Sequence, residues 1–288
     1  MFRRYLVLIA AFAIVGGACG GSVARDTFSE DAVTLWVNRD LSVARERLLV
    51  TVIEANGKRL AHYDKPVTLE VVPVDDPSAR QSMLADFTWT VPDVIGFYRA
   101  EFDFDRAGIW EVTVLPEVGD PLAPISIQVR DDSCRAASSL MSCAPRVGED
   151  APSVATPTIS DFSLEELSTD PNPDPRLYQL SLDELLVNGR PGIIIFATPA
   201  FCRTASCGPV VNTAKEIIEE FPGVDFLHLE VYTGLGDEDF VPDADHLSPA
   251  LKIWDLQTEP WVFIVDGLGV ITARFEGPVS ADELRARL

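Results

Sequence analysis

The chain has 288 residues, 47% of them hydrophobic and 24% charged, and a formal net charge of −22. That length suffices for two domains, each with its own core, and the composition excludes a collagen-like, wholly disordered or membrane-bundle chain. So acidic a surface also excludes binding to nucleic acid or anionic lipid through general charge, and most of it reads as a solvated exterior.

Arg3 and Arg4 precede an apolar run from Tyr5 to Val15. The run is too short to span a bilayer and has the proportions of a signal-peptide core. Gly16, Gly17 and Ala18 then lead to Cys19. Small residues directly before a cysteine resemble the lipobox of bacterial lipoproteins. The resemblance implies a signal peptide over 1–18, lipidation of Cys19, and an extracytoplasmic chain held at the membrane by its lipid. The match departs from the usual pattern at Gly16, where a large aliphatic residue is expected. Conventional cleavage after Ala18, with secretion, is the alternative.

Residues 23–131 read as all-β. Val33, Leu35 and Val37 alternate with polar positions, as do Leu48, Val50 and Val52 before the turn pair Asn56-Gly57. Val67, Leu69 and Val71 form a further set. The clearest set is Tyr98, Ala100, Phe102 and Phe104, with Arg99, Glu101, Asp103 and Asp105 opposite. Trp110, Val112 and Val114 follow a turn, and Ile125, Ile127 and Val129 close the series. Short strands with one apolar face predict a β-sandwich. The stretch GFYRAEFDFDRAGIWEVTV resembles paired late strands of immunoglobulin-like domains in exported proteins. His62 stands alone and reads as a surface residue.

Residues 132–175 are rich in Pro, Ser, Ala and Asp and read as a linker. Cys134 and Cys143 lie within it with eight residues between them, and a bridge there would stabilise by roughly 2–3 kcal/mol. A structural clip is expected in preference to a second redox centre. With Cys19 lipidated, the four remaining cysteines fall into two local pairs, as an exported chain permits.

From 176 to 288 the pattern is mixed α/β. Ser181 and Glu184 form a capping-box pair. Ile193 to Ala197 is a continuous apolar run, expected for a strand buried on both faces. Val210, Val211, Ala214, Ile217, Ile218 and Phe221 recur at helical spacing, and Pro222-Gly223 ends that helix. Val224 to Val231, Trp261 to Val265 and Val270 to Glu276 are further strands, and Ser280 with Glu283 caps a last helix.

The segment FATPAFCRTASCGPV (196–210) puts Cys202 in the loop after a central strand and Cys207 at a helix start. A helix N-terminus favours an anion, so a cysteine there ionises more readily, and the thiolate is the species that attacks a disulfide. Cysteines five apart within one regular helix would be about 7.5 Å apart along its axis. A disulfide needs Cα atoms within roughly 4.4–6.8 Å, so Cys202 is expected outside the helix or in an irregular first turn.

That segment, the Cys207-Gly208-Pro209 helix start and TEPWVFIVDGLGVITARFEG (258–277) resemble the thioredoxin superfamily, especially exported bacterial thioredoxin-like lipoproteins, over about 177–288. VGEDAP (147–152) is similar to the segment that often leads into such domains. The resemblance implies a thioredoxin-like fold, thiol-disulfide exchange at Cys202 and Cys207, a cis-proline at Pro260, and contact of Glu259 and Pro260 with an extended substrate. Cys202 would attack and Cys207 would resolve. The partners implied are exported protein thiols or disulfides, with a redox partner that the sequence does not name, and no cofactor, metal or nucleic acid.

This chain departs from the family in having four residues between the cysteines and no acid in Ile193 to Phe196. Glu230 and His228, on one face of the next strand, are candidates for the missing acid; a place at the polar edge of the sheet is the alternative. A redox-inactive binding module with a structural disulfide stays open. A peroxiredoxin-like peroxidase is a lesser alternative, because Pro199 and Ile195 stand where that family has threonine and proline. A Sco-like copper chaperone would need His228 or His246 as a ligand. The acidic loop Asp237, Glu238, Asp239, Asp243 and Asp245 reads as a solvated insertion.

Overall fold

The computed structural model describes residues 27–62, 64–131 and 143–288. The expected signal peptide, Cys19 and Cys134 lie outside the described residues. Two domains result, one β-rich and one α/β.

The alternating segments of the first domain form two sheets. One has the order β1 (Ala32–Trp36), β3 (Arg45–Glu54), β7 (Ile95–Asp103), β6 (Asp86–Val91). The other runs β2 (Leu41–Ser42), β9 (Ile125–Arg130), β8 (Gly108–Pro116), β4 (Val67–Pro73), β5 (Gln81–Leu84). Leu48, Val50 and Val52 meet Leu69, Val71, Trp110 and Val112 in one shared core. Each such side chain contributes roughly 1.5–3 kcal/mol by leaving water.

β1 presents the opposite face from the one expected. Val33 and Leu35 are 42% and 43% exposed, whereas Thr34 is 5% exposed. Its register against β3 gives the reason. Thr34 pairs with Val52 and Trp36 with Val50, so these partners share the inward face and Val33 and Leu35 must point out.

In the second domain the sheet order is β11 (Asp225–Glu230), β10 (Gly192–Ala197), β12 (Trp261–Val265), β13 (Ile271–Glu276). β10 and β11 are parallel, while β12 is antiparallel to both its neighbours. All of β10 is buried. Ile193, Ile195 and Ala197 pack with α3 (Cys207–Ile217) and α5 (Ala281–Arg285). Ile194 and Phe196 pack with α2 (Leu182–Val187) and α4 (Pro249–Ile253). Capping boxes at Ser181 and Ser280 start α2 and α5.

The stretch expected as a linker is, from Cys143 onward, part of this domain. Gly148 N–H donates to Ile271 O at 2.8 Å and Ala151 N–H to Gly269 O at 2.9 Å. Ala144, Ala151 and Leu167, the last on α1 (Leu164–Leu167), are buried. These small or isolated apolar anchors have no period, so they leave no pattern in the sequence.

A buried charged seam joins the domains. β3 is buried on both faces: Leu49 and Thr51 lie outside the β-rich core, Leu49 against Gly277 of the second domain and the Thr51 hydroxyl donating to Gly96 O at 3.0 Å. Arg274 of β13 reaches Glu46 at 2.6 Å and the Asp40 carbonyl at 3.1 Å. Asp40 also pairs with Arg130, and its N–H donates to Glu276 at 2.6 Å. Arg47 binds Glu283 at 2.8 Å and the carbonyls of Glu276 and Pro278, and Arg99 meets Glu283 at 2.9 Å. Burial alone pushes Glu283 up, but Arg47 and Arg99 outweigh it and bring the carboxyl down to about 2. β6 also lies against α3.

Candidate redox site

β10 and β11 end at the same edge of the sheet, and the cysteine loop leaves β10 there. Carboxyl ends of parallel strands are where open α/β sheets form binding crevices. Cys202 and Cys207 form a disulfide with Cα atoms 5.9 Å apart. Cys202 lies in the loop just before the turn at Arg203 and Thr204, and Cys207 is the first residue of α3. The chain makes this reversal with Ala205 in the left-handed region, at φ +58°. That bend brings the cysteines within bridging distance despite the four residues between them.

The two sulfurs differ. Cys202 is half-buried, while Cys207 is 0% exposed within the α3 core. The Cys207 N–H donates to Cys202 Sγ at 3.2 Å, and the Thr204 hydroxyl lies 3.3 Å from the same sulfur. Thr204 is held in turn by Ser206 at 2.6 Å. A thiolate at Cys202 would therefore meet a helix N-terminal amide and a hydroxyl.

Glu259 and Pro260 come to the same edge through the segment before β12. Their peptide bond is cis. Burial raises the Glu259 carboxyl, and the Arg203 charge in the cysteine loop opposes that rise. Tyr232 interacts electrostatically with both Glu259 and Arg203. Its ring packs edge-on against Phe201, 5.8 Å between centroids, directly before Cys202.

Glu230 and His228 do not lie at a polar edge; both are buried, at 7% and 2% exposure. His228 is locked in place: Nε2–H donates to Ala197 O at 3.1 Å, and Nδ1 faces the Tyr178 hydroxyl at 2.7 Å. Burial lowers its pKa to about 4, so the ring is neutral near pH 7 and neither nitrogen is open to a metal. Glu230 is raised by burial and accepts from Thr169 N–H and Oγ1–H, both at 2.9 Å. Thr169 Oγ1 also receives the Ala200 N–H at 3.1 Å, which ties the buried acid to the loop two residues before Cys202. His246 pairs with Asp243 at 2.8 Å.

Cys143 is disulfide-bonded, and its N–H donates to Asp255 at 2.8 Å. Sequence reasoning missed Thr204 and Thr169. Thr204 sits openly between the cysteines, whereas Thr169 lies in the supposed linker and gives no signal. No group of three or more His, Cys, Asp or Glu suited to a metal occurs among the described residues.

No family model matches the chain, and no curated protein is similar to it. Among solved structures, the Lin-41 filamin domain matches at 15% identity and TM-score 0.23, over 35% of this chain and 92% of that one. A DUF4426 family protein from Pseudomonas aeruginosa PAO1 matches at 13% identity and TM-score 0.23, over 35% and 91%. A metagenome-derived glycoside hydrolase family 9 endoglucanase matches at 19% identity and TM-score 0.21, over 33% and 18%.

Proposed function

We propose that the second domain is thioredoxin-like and exchanges disulfides with exported proteins, on a chain anchored outside the cytoplasm by lipid at Cys19. The observation that carries this reading is the asymmetry of the pair. The sulfur of the half-buried Cys202 receives the first amide of α3, while Cys207 is fully buried in the core. The first domain is read as an immunoglobulin-like sandwich that presents the redox domain to its partners.

In the reducing direction, the Cys202 thiolate attacks one sulfur of a substrate disulfide, expelling the other as a thiolate and forming a mixed disulfide. The Cys207 thiolate then attacks Cys202 Sγ, which releases the second substrate thiolate. The substrate gains two electrons and the Cys202–Cys207 pair loses two. An external dithiol must restore the pair for a further cycle. Glu230, a buried acid tied to this loop through Thr169 and Ala200, is the candidate proton acceptor for the exchange.

A structural bridge is the competing reading, and complete burial of Cys207 favours it. The test is a Cys207→Ser variant probed for mixed disulfides, together with the reduction potential of the wild-type pair. Trapped partners at Cys202 and a potential well above about −300 mV are expected. An empty trap with a potential below that value would establish the structural bridge.

A further inference from the structure

Beside the cysteine loop the second domain encloses a cavity of ≈360 Å³, within the range of about 300–1,000 Å³ usual for ligand sites. Its floor is Tyr178, His228 and Glu230, and Tyr232 and Leu229 form a wall. Phe162, Glu166 and Asp237 stand at the exposed rim. The rim is closely fitted: a Cβ on Gly236 would come within 2.9 Å of Glu166 Cγ, and one on Gly234 within 2.7 Å of an Asp237 oxygen.

The lining selects by charge. It contains three carboxyl groups and three aromatic rings and no lysine or arginine, and its one histidine is neutral near pH 7. An anion would meet only like charge there. A cation on an aliphatic stem would set its stem against Leu229, Leu167 and the rings, and its head against carboxylates and π faces. The net charge of −22 adds long-range attraction for such a guest.

The cavity also belongs to the cysteine edge. Tyr232 is shared by the cavity wall and the Phe201 contact, and Glu230 reaches Ala200 through Thr169. The loops after β10 and β11 thus carry the disulfide and the cavity side by side. The geometry points to a specificity pocket that takes a guanidinium or ammonium side chain located near the target disulfide of the substrate. Its place in substrate choice rests on the exchange reading above; its binding of a cation does not.

The experiment therefore has two arms. In the first, oxidised full-length protein is titrated with N-acetyl-arginine amide and with its neutral isostere N-acetyl-citrulline amide, by calorimetry. The arginine amide is expected to bind at least about tenfold more tightly, and Glu230→Gln or the exposed rim variant Glu166→Gln to lose about that factor. Equal binding of the two probes, no binding of either, or binding untouched by both variants overturns the pocket. In the second arm, exchange rates are compared for disulfide peptides with Arg or Gln beside the cysteine. Faster exchange of the Arg peptide, abolished by Glu166→Gln, supports a substrate side chain as the guest. Equal rates with arginine-amide binding intact overturn that source and leave a free organic cation. If neither peptide exchanges while the arginine amide binds, the exchange reading fails and the cation pocket stands.

Discussion

The seam between the domains and the cysteine edge of the sheet both bury carboxyl groups, but they treat them differently. At the seam, Glu283 lies between Arg47 and Arg99, and Asp40 and Glu46 lie around Arg274. At the edge, Glu230 is met by hydroxyls and backbone amides, and Glu259 feels Arg203 across the loop. Matched charges hold Glu283 well below its usual range, whereas burial drives Glu230 and Glu259 above theirs, as it does the seam carboxyl Glu276, which is met by a hydroxyl and a backbone amide. Paired burial serves cohesion. Carboxyls kept ready to take a proton beside a disulfide would suit the exchange proposed above.

Breaking the seam should cost most. Arg274→Met leaves Asp40 and Glu46 buried with less compensation, and a loss of about 3–5 kcal/mol is expected in urea unfolding. A loss under about 1 kcal/mol would mean that apolar contact, and not charge, joins the domains.

Acid should separate the two regions by pH. The folded value of His228, about 4, lies below its ordinary 6.5, so the unfolded chain takes up that proton first. Its contribution is complete above about pH 6.5 and is lost toward pH 4, at about 1.4 kcal/mol per pH unit. Glu283 lies at about 2 against an ordinary 4.5, so its contribution is complete above about 4.5 and is lost toward 2. The raised carboxyls Glu230 and Glu259 act in the opposite sense, so the test is a difference: the unfolding free energy of wild type minus that of His228→Gln should fall as pH drops from about 6.5 toward 4, and that of wild type minus Glu283→Gln from about 4.5 toward 2.

The isosteric pair Glu283→Gln and Glu230→Gln sharpens the contrast further. The first is expected to cost about 3 kcal/mol, because Arg47 loses its anion and Arg99 is left with Asp86 alone, and the second less than about 1 kcal/mol. Thermal unfolding of both variants checks this. Similar costs would remove the distinction between the regions.

The smallest effect is expected at the sulfur itself. Thr204→Val removes one hydroxyl from Cys202 Sγ and keeps the Cys207 amide. Alkylation of reduced protein near pH 7 should slow about threefold, with stability unchanged within about 0.5 kcal/mol.

Much of the cysteine edge was legible in the sequence, and little of the seam was. The β10 run, the start of α3, the strand after Pro260 and the capping boxes each depend on neighbours close in the chain. Short spacings record them. Ser280 and Glu283 could be read as a helix cap, and they form one, with Glu283 accepting the Ser280 N–H at 3.0 Å. That the same carboxylate binds Arg47 and Arg99 depends on tertiary docking, which no periodicity encodes. The reversed face of β1 has the same origin, since only pairing with β3 decides it. The cavity escaped notice because its floor joins Tyr178 to residues about fifty positions later, His228 among them.

The partners across the seam are far apart in the chain: Asp40 and Glu276 are separated by 236 positions. At synthesis rates of about 5–20 residues per second, roughly 12–50 s pass between the appearance of one and of the other. Through that interval the β-rich core can close, because its strands lie within the first 130 residues. The outer side of β3, with Leu49 and Arg47, must wait for β13 and α5. A nascent chain thus carries a finished barrier to water on one side of its first sheet and an unsealed one on the other. The order of emergence makes that side of β3 the surface that a chaperone would have to shield until the last strand arrives.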